Sequence, residues 1–392
     1  MANFRGLWRA IALGLSLVLA GSALGAPAQA ATGPSKYVEG ADSAAWLFDP
    51  LNINRIDLTI PQASLQTLAT DSYQNQIPYQ ESQMVFSSYK GTLPSMDVGV
   101  HIKGGLGSRR KLATCDSSNF CGVVTDQKPA LKIKINFGAA NASQRLYGLK
   151  ELTLNSMVQD QSMLHETVDY RLARAAGLPA PRTGYIHVYA NGVDLGLHLL
   201  VEAYDSTMMK RWSASGTQSL YEGAYWQDIV LSSPTVQSYQ SLQKHSGDPV
   251  NSDDLARVAT IQGSSGIAWW VGMTQWTNVG ELTRDWAFEH FVQQWDAYSW
   301  FIINNYFVHF DNTGVMTMHP WGMDQTLIYN GGDYAVHFLA SSSTPSGRPA
   351  GTLFAKCLAY TPCKQLYVGE LAKLGETADS LNLPGFIDEV WA

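Results

Sequence analysis

The chain has 392 residues, of which 15% are charged and 11% aromatic, and its formal net charge is −7. That length can bury a large core or two lobes. The acidic balance gives no basic footprint for nucleic acid or anionic lipid, and few charges beside 12 Trp and 18 Tyr suit a compact extracytoplasmic protein.

Arg5 and Arg9 precede an apolar run from Ala10 to about Leu24, and Ala28-Gln29-Ala30 offers a small-residue cleavage site. The run is short for a membrane span, and nothing later reaches ~18 uninterrupted apolar residues. Residues 1–30 therefore read as a secretory signal peptide cut after Ala30, with Ala26 or Ala31 as other ends and a retained anchor as the competing reading. Its loss removes two arginines and no acids, taking the net charge from −7 to −9.

Arg55–Ile60 reads as a strand, followed by a short helix beginning near Pro61. Met96–Ile102 alternates as a strand and runs into a glycine-rich turn, Lys103-Gly104-Gly105-Leu106-Gly107-Ser108-Arg109. In Lys128–Phe137, Leu131, Ile133 and Ile135 share one face, while Lys132 and Lys134 share the other. Gln161 to Ala176 is the clearest helix, with Asp160 as its N-cap, Glu166 near its positive end, and Gly177 and Pro179 ending it. Asn191-Gly192 joins two apolar-rich runs, Thr183–Ala190 and Val193–Glu202, as a hairpin. Residues 206–265 are polar and serine-rich with a helix or two, and about 282–392 reads as mostly helical around one hairpin. The expected organisation is α+β: a β-rich lobe with one major helix over 31–205, a mainly helical lobe over 206–392, and a cleft between them.

Four cysteines fall in two close pairs, Cys115 with Cys121 and Cys357 with Cys363. Short-range disulfides are the natural assignment in an oxidising compartment, although four cysteines allow three connectivities. A zinc site is the competing reading. The spacings are wider than usual for zinc, and no histidine cluster accompanies them.

The most chemically suggestive stretch is His290 to Tyr306 together with Pro320-Trp321-Gly322-Met323-Asp324-Gln325. Asp296, then Asn304-Asn305, then Asp324 beyond a hairpin is an order used for phosphoryl transfer. There one acid orients the accepting hydroxyl, while an amide oxygen and a second carboxylate hold Mg²⁺. Trp295, Tyr298, Trp300 and Phe301-Ile302-Ile303 place these groups in an apolar setting, where an ionisable group needs partners.

Six motifs stand in order: Lys103–Arg109, Lys128–Lys134, Asp160–Glu166, Asn191–Glu202, and the two segments just quoted. Together they resemble the CotH family, secreted or surface proteins with a divergent protein-kinase-like fold. The similarity is to the branch reading Trp-Asp-Gly-Tyr, Asn-Asn-Tyr and Pro-Trp-Gly-Leu-Asp-Gln, and Ala297 stands where that branch has glycine. The resemblance implies ATP and Mg²⁺ (or Mn²⁺) as cofactors and a protein hydroxyl of Ser, Thr or Tyr as acceptor. It implies Asp296 as the acidic residue that orients or deprotonates the acceptor hydroxyl, with Asn305 or Asn304 and Asp324 on the metal. Lys128 or Lys132 would reach the phosphates, Glu202 would pair with that lysine, and Gly104, Gly105 and Ser108 would cover the phosphates. Two other functions compete: a non-catalytic surface or wall-associated module on the same fold, and a glycoside hydrolase using Asp296 and Asp324.

Overall fold

A computed structural model describes residue 40 and residues 42–247, 253–300, 302–327 and 351–392. The signal-peptide reading over 1–30 and Phe301 of the apolar run lie outside them. Among the described residues, no helix is long and apolar enough to cross a membrane.

The N-terminal region is built from β1 (Ile53–Thr59), β2 (Gln80–Ser88), β3 (Gly91–Thr92), β4 (Met96–Lys103), β5 (Ala113–Cys115), β6 (Cys121–Val123), β7 (Ala130–Lys134), β8 (Glu151–Asn155), β9 (Thr183–Ala190) and β10 (Val193–Glu202). Strand order runs β1–β9–β10–β8–β7–β4–β2, and β2 pairs back onto β1, so the sheet closes into a barrel. Only the β1–β9 pairing is parallel in that circuit. Closure leaves no open edge along these strands. Alternate residues fill the interior, among them Phe86, Val100, Ile102, Ile133 and Leu154, each no more than 1% exposed. Asn191 and Gly192 both have positive φ and make the β9–β10 turn where the sequence placed it.

Helix α1 (Gln62–Leu68) starts after Pro61, as expected. Both predicted cysteine pairs are disulfide-bonded, Cys115 to Cys121 and Cys357 to Cys363. The first staples the β5–β6 hairpin. That hairpin docks on α1, where the Gln62 amide donates to the Cys121 carbonyl at 2.7 Å and accepts from its N–H at 3.0 Å. Helix α2 (His165–Ala175) begins four residues later than the sequence predicts. Asp160 is not its N-cap: its carboxylate accepts from Ser162 and from the His165 N–H, closing a turn ahead of the helix. Although α2 falls between β8 and β9 in the chain, Tyr170, Leu172 and Ala173 bury into the C-terminal core.

That second region contains α3 (Ser206–Trp212), β11 (Ser219–Gly223), β12 (Gln243–Gly247), α4 (Asp253–Ile261), α5 (Gly266–Trp276), α6 (Val279–Phe291), β13 (Tyr306–Phe310), β14 (Met316–Pro320), α7 (Thr352–Ala359), α8 (Thr361–Ser380) and α9 (Leu383–Trp391). It is largely helical, and it also carries an antiparallel sheet ordered β12–β11–β13–β14. The predicted hairpin is β13–β14. Strands β11 and β12 fall in the segment read as polar with helices; their own apolar pattern is weak, and β11 is organised by pairing to the fully buried β13, with β12 added on its other edge.

Along α6, Glu281, Asp285 and Glu289 recur at four-residue spacing. Asp285 and Glu289 are fully buried, and neither Asp285 oxygen has a hydrogen-bond partner among the described residues. Burial pushes Glu289 up to about 7, so its stabilising contribution is complete below about 4.5 and is lost as pH rises to 7. Burial pushes His290 down to about 3, so its contribution grows as pH rises from 3 to 6.5. The two slopes oppose each other between 4.5 and 6.5. Relative to the native chain, Glu289→Gln should therefore gain stability as pH rises from 4.5 toward neutrality. Thermal melts of both proteins across that range measure the difference.

Candidate functional site

Three adjacent barrel strands turn the same alternate positions outward: His101 and Lys103 on β4, Ala130 and Lys132 on β7, and Glu151, Thr153 and Asn155 on β8. They form one wall of a cleft of about 460 Å³. Facing them are Glu222, His245 and Phe307 from the second sheet, Tyr225 from the loop after β11, and Asp296, Asn304, Asn305 and Asp324. The predicted Asp–Asn–Asp set thus converges in a single cavity together with the glycine-rich turn.

Asp296 is 5% exposed and accepts from the Asn304 amide through both oxygens, at 3.0 Å each, and from the Asn305 amide at 3.0 Å. Burial first, and then the charge of Asp324, push its carboxyl up to about 7, against the two asparagine hydrogen bonds. The loop that carries it lies in the apolar setting the aromatic residues suggest: Tyr298 and Ile303 have no exposure, and Trp300 has 1%. Asn305 adopts a left-handed φ of 48° and its carbonyl accepts from the Trp321 N–H at 3.2 Å, joining this loop to the turn after β14.

Gly322 sits in that turn at φ +66°, and a Cβ there would lie 2.8 Å from the Asn305 side chain. Only glycine meets both conditions without strain. Gly322→Ala should cost about 1–3 kcal/mol and displace Asn305, so melting temperature and any activity of the cleft should fall together.

Asp324, in the one-turn helix Met323–Gln325, is raised above the ordinary carboxylate range by burial, with Lys103 opposing. Beneath it lies Glu166, 4% exposed, whose carboxylate accepts from the Asn155 amide. Burial and then the Asp324 charge push Glu166 up to about 8, again against Lys103. Glu166, read from the sequence as a helix-dipole partner, is therefore a buried neighbour of the site. Lys103, quoted in the glycine motif and given no role there, is the cation acting on both acids. It also lies 5.4 Å from the Trp321 ring centroid.

The two candidate lysines separate. Lys132 lines the cleft and pairs with Glu151 at 3.8 Å, and Glu151 also accepts from the Tyr79 hydroxyl at 2.6 Å. Lys128 is not among the residues lining the cleft; its side chain runs toward the bulge at Gly196 on β10. Nor is Glu202 the lysine's partner. It is 2% exposed, pairs with Arg182 at 2.9 Å and with Arg211, and lies outside the cleft. Glu202 ends β10, where those two arginines reach it, whereas Glu151 lies on β8 directly beside β7.

In the glycine-rich turn, Gly104 has φ +116° and Gly107 has φ +86°. The Ser108 hydroxyl accepts from the Gly105 N–H at 3.0 Å, so both groups serve the turn itself. Arg109 anchors it through a two-pronged pair with Asp71, each contact 2.7 Å. Glu222 and His245, a side-chain pair on the opposite wall, were not foreseen. Among the described residues no three His, Cys, Asp or Glu side chains gather as a metal cluster.

The family model described as CotH kinase protein matches residues 122–378. The chain belongs to the CotH family. That match spans Lys128, Lys132, Glu166, Asp296, Asn304, Asn305 and Asp324, whereas the glycine-rich turn precedes it. A barrel followed by a largely helical region agrees with CotH membership. No curated protein matches the chain. A Shewanella oneidensis MR-1 structure of the HipA–HipB toxin–antitoxin system with operator DNA aligns at 13% identity and a TM-score of 0.27. It covers 62% of this CotH chain and 52% of that chain, so the alignment spans about half of its length, and the likeness is too slight to carry an argument.

Proposed function

We propose that this CotH protein is a secreted kinase that transfers the γ-phosphoryl of ATP, with Mg²⁺ or Mn²⁺, to a hydroxyl of an extracytoplasmic protein. The observation that carries the reading is the convergence of Asp296, Asn304, Asn305 and Asp324 in one cleft, opposite Lys103 and Lys132. The donor set fits the metal: Mg²⁺ accepts one or two protein oxygens when phosphate oxygens complete its shell. Asp324 and Asn305 would hold it, since Asn305 packs against the turn leading to Asp324 while the Asn304 amide spans both Asp296 oxygens. When bound, the metal neutralises charge on the phosphates.

Asp296 takes the proton of the acceptor hydroxyl as the new O–P bond forms and the bond to the ADP oxygen breaks. A carboxyl pushed up to about 7 suits that work near neutral pH. Lys103 and Lys132 face the phosphates, and Glu151 holds Lys132 in place. Lys103→Ala and Lys132→Ala should each weaken nucleotide binding by about ten- to a hundredfold, as for a lost charged hydrogen bond, while Lys128→Ala leaves it unchanged; titration calorimetry with metal–ATP distinguishes them.

Thermal melting with metal–ATP tests occupancy of the cleft. A ligand at a hundred times its Kd stabilises by about 2.7 kcal/mol. No shift with either metal would instead favour a binding or assembly module on a kinase-like fold.

A further inference from the structure

The end of α6 grips the loop that carries Asp296. Glu289 and His290, neighbours in its last turn, both reach Ser299, three residues beyond Asp296. One Glu289 oxygen accepts from the Ser299 N–H at 3.0 Å and also from its hydroxyl. His290 Nε2 meets the Ser299 carbonyl at 3.1 Å, and His290 Nδ1 meets the Tyr367 hydroxyl of α8. A carbonyl only accepts, so Nε2 carries the hydrogen. Nδ1 must then accept from the Tyr367 O–H, which fixes the imidazole tautomer. Both main-chain polar groups of Ser299 are thereby held by side chains on adjacent residues. Ser299 and Glu289 have no exposure, Tyr367 has 1% and His290 has 8%, so water does not compete.

The same helix end also holds the Asp324 side of the cleft. The Gln294 N–H donates to the Glu289 carbonyl at 2.8 Å, and the Gln294 amide donates to the carbonyls of Trp321, at 3.4 Å, and Gly322. Beside Ser299, Tyr298 donates to Asp228 at 2.6 Å, and Asp228 accepts from the Thr352 N–H and hydroxyl at the start of α7.

We infer that Glu289, His290 and Tyr367 form a positioning clamp that sets Asp296 and Asn304 through the Ser299 peptide. The inference rests on the kinase reading of the cleft. None of the three lines the cavity, so none is assigned contact with nucleotide or acceptor. Their part is to hold the reacting loop, where a displacement of about 1 Å can cost a hundredfold in rate.

The test uses the full chain and the variants Tyr367→Phe, His290→Leu and His290→Gln. Tyr367→Phe keeps the buried ring and removes only the tautomer-setting donor, so it preserves a folded protein for measurement. His290→Gln restores a donor toward the Ser299 carbonyl. Expected are a kcat for phosphoryl transfer about ten- to a hundredfold lower in Tyr367→Phe and His290→Leu, a KM for ATP within about twofold, and partial recovery in His290→Gln. Amide exchange of residues 296–305, measured without nucleotide, should quicken in Tyr367→Phe while exchange in β9 and β10 stays unchanged. An unchanged kcat in the folded variants, or unchanged exchange over 296–305, overturns the clamp. Failure of the native chain to transfer phosphate would overturn the kinase reading instead, and the exchange experiment would still decide the clamp.

Discussion

Asp296→Asn should lower phosphoryl transfer by about a hundred- to ten-thousandfold, the range for losing a positioned general base. The carboxylate meets three amide contacts from Asn304 and Asn305, and burial, which pushes its carboxyl up to about 7, favours proton uptake near neutrality. Asparagine preserves shape and one acceptor oxygen but cannot take the proton. Its effect should therefore fall on kcat, with metal–ATP affinity nearly retained. Rate measurements and thermal melts on one preparation separate lost chemistry from lost structure. A variant with native kcat would remove Asp296 from the mechanism.

Glu202→Ala should show its largest effect on stability. Its carboxylate pairs with Arg182 and Arg211, and the Arg182 side chain is 3% exposed. Removing one member of a buried ion pair leaves an uncompensated charge and costs about 3–5 kcal/mol. Asp42, also paired with Arg182 at 2.7 Å, offsets part of that loss. The melting temperature should drop by roughly 10 °C at the usual conversion for domains of about 150–250 residues, while the folded fraction keeps its affinity for metal–ATP. The converse result, lost nucleotide affinity at unchanged melting temperature, would return Glu202 to the lysine. Glu151→Gln should instead disturb Lys132 and the cleft with little global loss, because that pair, its side chains 24% and 22% exposed, is partly open to solvent.

The parts of the fold legible in the sequence are those with local signals. Asn191-Gly192 marks its hairpin through backbone conformations few other residues tolerate, and the close cysteines form the two short disulfides. Strand β7 announces itself by alternation, which also put Lys132 on the correct face. Strand β8 alternates over only five residues, with Leu152 and Leu154 inward and Glu151, Thr153 and Asn155 outward. The resemblance implied Glu202 as the lysine's carboxylate, whereas the partner of Lys132 is Glu151 on this neighbouring strand.

Barrel closure was beyond local reading, because the β1–β9 and β1–β2 pairings depend on which distant strands meet. Glu166 likewise looks like an ordinary first-turn acid. Only the docking of α2 into the C-terminal core carries it beneath Asp324. Asp296, Asn304-Asn305 and Asp324 come together in the cleft because β13 and β14 form a hairpin that returns the chain within a short span.

The measurement that bears most directly on the kinase reading is transfer from γ-labelled ATP. The purified chain would be incubated with Mg²⁺ or Mn²⁺ and a generic hydroxyl-bearing acceptor protein, beside Asp324→Ala and an EDTA control. The kinase reading predicts label in the acceptor that vanishes with EDTA and falls about a hundredfold or more in Asp324→Ala. Absence of label with the native chain, or label that survives both EDTA and the loss of Asp324, would contradict it.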